Sequence, residues 1–322
     1  MQGGREMKKY TVLVPTDFSK AARCALAHAI KLAEMFDGEI HLLNIVEIPT
    51  ASVPDLPLDF LDVLQARAIE ELKIEVRTFG ADIPPITRVV RSGIPTKAPA
   101  EVILEYAMDL EPDLIVMGTH GRRGPRRLLL GSVTEEITRR SRFPVLTIRS
   151  HKKSELIPAF NRILVPVDFS DKSDKIVDEA AQIALKMNAS IVLMHVVDIE
   201  FYPFYGFTAD PVKLIERNMI DVAMTKLNDM VAVLRTKGVQ ANWEADTGHA
   251  ARVIVEYANR NRMDVIVMGS HGRSGFDRIM LGSVAEKVLR SANCPVLIVN
   301  TAVIERETIA EQLVLSRGFG VS

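Results

Sequence analysis

The 322-residue sequence carries a formal net charge of −1, with 48% apolar and 25% charged residues. That balance fits a soluble globular protein and gives no electrostatic drive toward nucleic acid or anionic membrane. Only two cysteines occur, so no disulfide framework is expected. With no run of eighteen apolar residues and no apolar leader in MQGGREMKKY, the expected location is the cytoplasm, without a membrane span.

In chain order, Thr11–Thr16 reads as a strand and Ser19–Phe36 as a helix with Ala22, Ala25, Leu26, Ala29, Ile30 and Ala33 on one face. A strand over Ile40–Val46 and a helix over Leu58–Phe79 follow. Then come a strand at Thr87–Arg91, a helix at Ala98–Met108 and a strand at Leu114–Met117. A helix over Ser132–Arg140 and a strand over Val145–Arg149 complete the series. The pattern then begins again, with strands expected near 162–167, 190–197, 241–245, 265–268 and 296–299. Apolar strands with almost no alternation, separated by helices, define an α/β fold with open, doubly wound parallel sheets covered on both faces.

The second half repeats the first at an offset of 151 residues. Val14-Pro-Thr-Asp17-Phe-Ser19 returns as Val165-Pro-Val-Asp168-Phe-Ser170. Gly118-Thr-His-Gly121 with Gly131-Ser132 returns as Gly269-Ser-His-Gly272 with Gly282-Ser283. Both glycine segments read G-x2-G-x9-G-S. The expected organisation is a domain over 1–150, a linker over 151–160, a second domain over 161–300 and a tail over 301–322. The spacing of Ile304, Ile309 and Leu313 suits a helical tail. The copies differ most after their second strands, where the second has Phe201-Tyr-Pro-Phe-Tyr-Gly-Phe207. That segment reads as a lid or docking loop, or as packing against another copy.

A glycine-rich segment opening a helix brings bare backbone N–H groups, and the positive end of the helix dipole, to a bound anion. In an open parallel sheet, ligands sit at the carboxyl ends of strands where strand order reverses. The Pro15-Thr16-Asp17 turn and the segment from Gly118 to Ser132 follow the first and fourth strands, so they face one crevice if those strands are neighbours. Ser132 precedes Glu135 by three residues, as Ser283 precedes Glu286, which predicts capping boxes. Asp17 suits either a ligand hydroxyl or amino group, or the cap of the helix at Ser19. His120 and His271 lack partners at metal-ligand spacing and read as structural donors. Arg122, Arg123, Arg126 and Arg127 read as solvated surface or as extra charge near phosphates. The sequence contains no G-x4-G-K-[ST], no G-x-G-x-x-G after the first strand and no G-x-S-x-G, which argues against a motor-type NTPase, a dinucleotide enzyme and a serine hydrolase.

These motifs resemble the universal stress protein family in its tandem-domain, ATP-binding form, from Tyr10 to Arg149 and again from Asn161 to Asn300. The resemblance implies a Rossmann-like sheet order of 3-2-1-4-5 in each domain. It also implies dimerisation through the fifth strand, which the tandem would satisfy within one chain as a pseudo-dimer, with further homo-oligomers open. It places adenine and ribose against Pro15, Asp17 and Ile45, and the ribose and first phosphates at Met117, Gly118, His120 and Gly121. The terminal phosphates fall to Gly131, Ser132 and Val133. The matching second set is Pro166, Asp168, Val196, Met268, Gly269, His271, Gly272, Gly282, Ser283 and Val284. Thr16 becomes Val167, so the second site lacks a hydroxyl beside its aspartate. The expected ligand is ATP, or ADP or AMP, with Mg²⁺ reachable through the phosphates. The expected role is a nucleotide-dependent stress-response or regulatory module acting on an unnamed protein partner. A slow ATPase or autophosphorylating enzyme, and a chaperone-like scaffold with structural nucleotide, are the alternatives.

Overall fold

Ten strands and eight helices alternate along the residues described by a computed structural model, namely 9–46, 59–80, 83–92, 97–119, 130–149, 160–198, 209–270 and 281–300. The chain divides into two compact units, the first drawn mainly from residues up to Pro158 and the second from Ala159 onward.

The first unit runs β1 (Thr11–Pro15), α1 (Lys20–Met35), β2 (Glu39–Val46), α2 (Phe60–Arg77), β3 (Ile86–Ser92), α3 (Pro99–Leu110), β4 (Leu114–Gly118), α4 (Ser132–Arg140) and β5 (Val145–Ile148). Its strands lie in the order β3-β2-β1-β4-β5 and the described pairs are parallel. The second unit runs β6 (Arg162–Pro166), α5 (Asp171–Met187), β7 (Ser190–Val197), α6 (Ala209–Thr236), β8 (Gln240–Thr247), α7 (Ala250–Arg260), β9 (Val265–Gly269), α8 (Ser283–Ser291) and β10 (Val296–Val299). Its order, β8-β7-β6-β9-β10, is the same pattern. The expected doubly wound parallel fold and the 3-2-1-4-5 order are therefore both present.

Composition explains the position of each strand. Every residue of β1 and β5 is buried, as are the first four of β4; such uniformly apolar runs need helices on both faces. At one border of the first sheet, β3 exposes Thr87 and Arg88. Its counterpart β8 reads QANWEADT and is mostly half-exposed, which suits an edge. Most expected boundaries fall within one or two residues of the observed ones, and local chemistry sets the differences. Ser19 stands outside α1 as its N-cap and accepts from Ala22 N at 3.2 Å. Pro99 opens α3, where its missing N–H has no intrahelical acceptor to lose.

The two copies depart from the 151-residue offset in one place. Ile40 pairs with Ile86, whereas its counterpart Ile191 pairs with Ala241, an offset of 155. The longer α6 and a short β8–α7 turn absorb that difference, and β9 returns to the original register. Among the described residues, no helix is long and apolar enough to cross a membrane. Of the expected linker, residues 151–159 lie outside the described residues and Phe160 is buried at their end; the aromatic segment 201–207 and the tail 301–322 also lie outside the described residues.

Leu43 is fully buried at the centre of β2. Replacing Leu43 with Ala removes its packing and leaves a cavity, and is expected to destabilise the first unit by about 2–5 kcal/mol. Urea unfolding of the full chain should show the loss in the transition of that unit.

Candidate functional site

β1 and β4 are neighbours, paired at Val12–Leu114 and Leu13–Ile115 near their amino ends. β6 and β9 pair correspondingly at Ile163–Val265 and Leu164–Ile266. The Asp17 turn and the Gly118 segment therefore emerge side by side at the carboxyl ends of adjacent strands, where strand order reverses. The same holds for Asp168 and Gly269.

The turn after β1 is strained and heavily braced. Phe18 adopts φ 62° and its repeat partner Phe169 φ 59°, a left-handed conformation that a bulky side chain enters only at a cost. Its recurrence in both copies shows that the surrounding structure imposes it. Ser19 N donates to Asp17 Oδ1 at 3.0 Å, and Ser170 N to Asp168 Oδ1 at 3.0 Å. The aspartates thus fold the turn ahead of the helix, and the serines that follow are the N-caps. In the second unit, Asp168 Oδ1 also accepts from Ser170 Oγ at 2.7 Å and from Ser173 Oγ at 2.8 Å; Ala22 stands where Ser173 does.

Behind the turn, the copies use different chemistry on the same backbone. The Thr16 carbonyl accepts from Asn44 Nδ2 at 2.8 Å. The Val167 carbonyl instead lies 2.7 Å from His195 Nδ1, a bond that needs the proton on that nitrogen. The His195 ring lies against Phe169, with centroids 4.3 Å apart, and Lys226 Nζ sits 5.2 Å over the same phenyl ring. In the first unit the Thr16 hydroxyl accepts from Phe18 N at 3.0 Å and donates to Glu75 Oε2 at 3.2 Å. Glu75, on α2, is only 6% exposed. Burial pushes its carboxyl above the ordinary range; Thr16 and Arg23 oppose that rise, while Asp17 and Glu71 add to it.

The glycine segment is pinned at both ends. Thr119, buried at the end of β4, donates its N–H to the Ile148 carbonyl at 3.0 Å, and its own carbonyl accepts from Gly131 N at 2.8 Å. Ser270 makes the equivalent bonds to Val299 and Gly282 at 2.9 and 2.8 Å. Thr134 Oγ1 also donates to the Gly118 carbonyl at 2.8 Å. Gly118 has a packing reason for being glycine: a Cβ there would lie 2.6 Å from the backbone carbon of Ala21 in α1.

The expected capping boxes do not form as anticipated. α8 begins at Ser283 with Gly282 as its N-cap and no side-chain cap bond. In the first copy the Gly131 carbonyl already accepts from Glu135 N at 2.8 Å, so Ser132 is likewise the first helical residue. Both serines are exposed. Their N–H groups, and those of Val133 and Val284, belong to the first helical turn, which has no intrahelical acceptors.

The remaining expected residues are brought to the same end of each sheet. Pro15, Met117 and Met268 are buried in it, and Pro166 is half-buried at the end of β6. Ile45 and Val196, near the ends of β2 and β7, are half-buried, Ile45 between buried neighbours and Val196 between half-buried His195 and buried Val197. His120, Gly121, His271, Gly272 and the arginines at 122–127 lie outside the described residues. No group of three or more His, Cys, Asp or Glu suited to a metal occurs among the described residues. Glu75, Asn44, His195 and Ser173 were not anticipated. Asn44 and His195 did carry a signal, each being a polar residue within an apolar strand at the repeat offset.

A parallel α/β unit written twice, with a braced aspartate turn beside a helix start, defines a tandem Rossmann-like protein. The chain belongs to the universal stress protein family, whose model matches residues 10–149 and 159–300. It is 36% identical over 141 residues to universal stress protein MJ0531 of Methanocaldococcus jannaschii, covering 44% of this chain and 82% of that protein. It is 25% identical over 300 residues to universal stress protein Rv2005c of Mycobacterium tuberculosis, covering 90% of this chain and 97% of that one. Among solved structures, a universal stress protein from Archaeoglobus fulgidus matches the fold with TM-score 0.69 at 21% identity, over 92% of this chain and 100% of that one.

The close approach of Gly118 to α1 bears on stability without any ligand. Gly118→Ala forces a Cβ into the backbone of α1 and should lower stability by about 1–3 kcal/mol. Thermal unfolding without added nucleotide should show the loss.

Proposed function

We propose that each unit binds an adenine nucleotide, ATP foremost and ADP or AMP by the same contacts, at the carboxyl ends of β1 and β4 or β6 and β9. The observation that carries this reading is the pinned juxtaposition of an aspartate turn with the start of a helix, present twice. The pin, Gly131 N to Thr119 O and Gly282 N to Ser270 O at 2.8 Å in each copy, holds the first turn of α4 or α8 beside the crevice. The N–H groups there suit phosphate oxygens, and Ser132 and Ser283, not spent as caps, add exposed hydroxyls. Asp17 or Asp168 supplies a carboxylate for a ribose hydroxyl or the adenine amino group, and Ile45 or Val196 an apolar surface for the base. Mg²⁺ would be held through the phosphates. His120 with Gly121, and His271 with Gly272, complete the proposed lining from within the glycine segments.

The role that fits is a regulatory, stress-responsive module whose nucleotide state is read by another protein, in a reducing cytoplasm that suits Cys24 and Cys294, neither of which is in a disulfide. Binding is favoured over turnover because the sequence lacks the phosphate lysine of a P-loop. The aspartates, moreover, already serve as hydrogen-bond acceptors of their own turns.

Gly131→Val together with Gly282→Val places a branched side chain at both helix starts. Calorimetric titration with ATP should show binding by the parent and none by the folded double variant. Full ATP affinity in that variant would show the site to be elsewhere.

A further inference from the structure

The repeat supplies an internal comparison that singles out one buried carboxylate. Glu75 projects from α2 to the back of the Asp17 turn, where its Oε2 accepts the Thr16 hydroxyl. Among the described residues no hydrogen-bond donor reaches Oε1; Arg23 Nε, from an exposed side chain on α1, lies 3.8 Å away. In the second unit, α6 buries Ala223, Leu227 and Val231 at the spacing with which α2 buries Ala68, Leu72 and Val76. By that register Met230 stands in the place of Glu75, and Val167 in the place of Thr16. The hydrogen-bonded Thr16 and Glu75 of one unit are thus matched in position by two apolar residues, buried Val167 and half-buried Met230, in the other. Yet both units hold the turn phenylalanine left-handed, at 62° and 59°, and both keep the aspartate bonded to the second N–H after it. The turn therefore forms without a buried carboxylate, with apolar residues at both matching positions. Keeping a poorly paired carboxylate in such a place costs stability, which directs attention to the site it touches.

We propose that Glu75 is a positioning residue of the first site, acting through Thr16 on the Asp17 turn, and that its charge state sets how tightly that site holds an adenine nucleotide. The inference rests on the nucleotide reading given above and assigns a regulation to one of its two sites. An ionised Glu75 can only accept, so the Thr16 hydroxyl must donate to it and offer a lone pair to Phe18 N. With the Thr16 carbonyl held by Asn44, every polar group behind the turn then has one orientation, and Asp17 is presented in one place. A protonated Glu75 can itself donate to Thr16, which releases the hydroxyl hydrogen and loosens the bond chain under Phe18. The charged groups facing Glu75 among the described residues are Arg23 from α1, Asp17 from the turn and Glu71 from its own helix. Arg23 favours the ionised form, whereas burial and the two acids favour the protonated one. The second site, with Val167 and Met230, lacks this control.

The sign of the effect follows. The folded-state carboxyl titrates above the ordinary glutamate range, so first-site affinity is full above that raised value and falls as pH drops through it. Stability moves the opposite way: protonation favours the folded chain, and stability declines as pH rises from the unfolded value through the folded one.

The test uses the full chain carrying Gly282→Val, so that ATP titration reports the first site. Relative to this parent, Glu75→Gln mimics the protonated side chain and should bind ATP roughly ten-fold more weakly at alkaline pH. The two curves should converge as the pH falls and the parent protonates. The pair Thr16→Val with Glu75→Met, copied from the second unit, provides a variant whose apolar pair is already compatible with this fold. Its ATP affinity should lack the parent's pH-dependent step, and its thermal stability should exceed the parent's at alkaline pH and approach it in acid. Equal ATP affinity of parent and Glu75→Gln at every pH, with the parent binding ATP, would overturn the role of Glu75 alone. Absence of ATP binding by the protein with both sites intact would overturn the nucleotide reading and this inference with it.

Discussion

The bond from the N–H of Gly131 to the carbonyl of Thr119, repeated from Gly282 to Ser270, is the constraint on which the site depends. Thr119 and Ser270 are buried to 2% and 0% exposure, where an unpaired backbone carbonyl is costly. Satisfying it with the glycine at the start of the next helix closes the glycine segment at its base. The first turn of that helix is thereby fixed at the end of β4 or β9. The same bond accompanies a glycine, rather than a serine, at the N-cap: that residue's N–H is tied to the strand end, and the helix begins at the serine that follows. The serine hydroxyl is displaced from capping onto the exposed face of the first turn.

The other wall of the crevice is made by strain held in place with polar groups. A left-handed phenylalanine survives in both units because its neighbours are over-determined. The aspartate before it accepts the N–H after it, the preceding carbonyl is held from the second strand, and a serine stands at the N-cap, its hydroxyl capping the helix in the first unit and bonded to Asp168 in the second. Duplication shows which of these parts are interchangeable. Asn44 and His195 bond the same carbonyl with different side chains. Thr16 with Glu75 gives way to Val167 with Met230, and Ala22 to Ser173. The backbone geometry is common, whereas the electrostatics around each aspartate are not. One turn is backed by a buried carboxylate, the other by an imidazole, with a lysine over the ring of its own phenylalanine.

Much of this was legible before any coordinates. Unbroken apolar runs such as Val12-Leu-Val14 and Ile115-Val-Met117 announce central parallel strands, because only strands covered on both faces can bury every side chain. The 151-residue repeat announces two copies of one unit. The Asp17 turn and the glycine segment could be paired as one site, since both follow strand ends and both recur. Glu75 was hidden for a physical reason. On α2 it shares a face with Leu72 and Val76, and a single acid on an apolar face does not reveal which distant hydroxyl it meets. The capping boxes misled because Ser-x-x-Glu spacing is a local signal. A buried carbonyl from a neighbouring strand overrode it.

By itself, the sequence determined the fold class, the duplication, the strand order through family resemblance and the residue types of the candidate site, because periodicity and repeated motifs are written locally. Only the tertiary structure decided what each residue does there. It made Gly118 a contact for Ala21 and gave the helix caps to glycines. It set Thr16 against Glu75 across 59 positions of sequence and made the two sites electrostatically different. Those outcomes depend on which groups burial brings together and which hydrogen bonds it then obliges them to make.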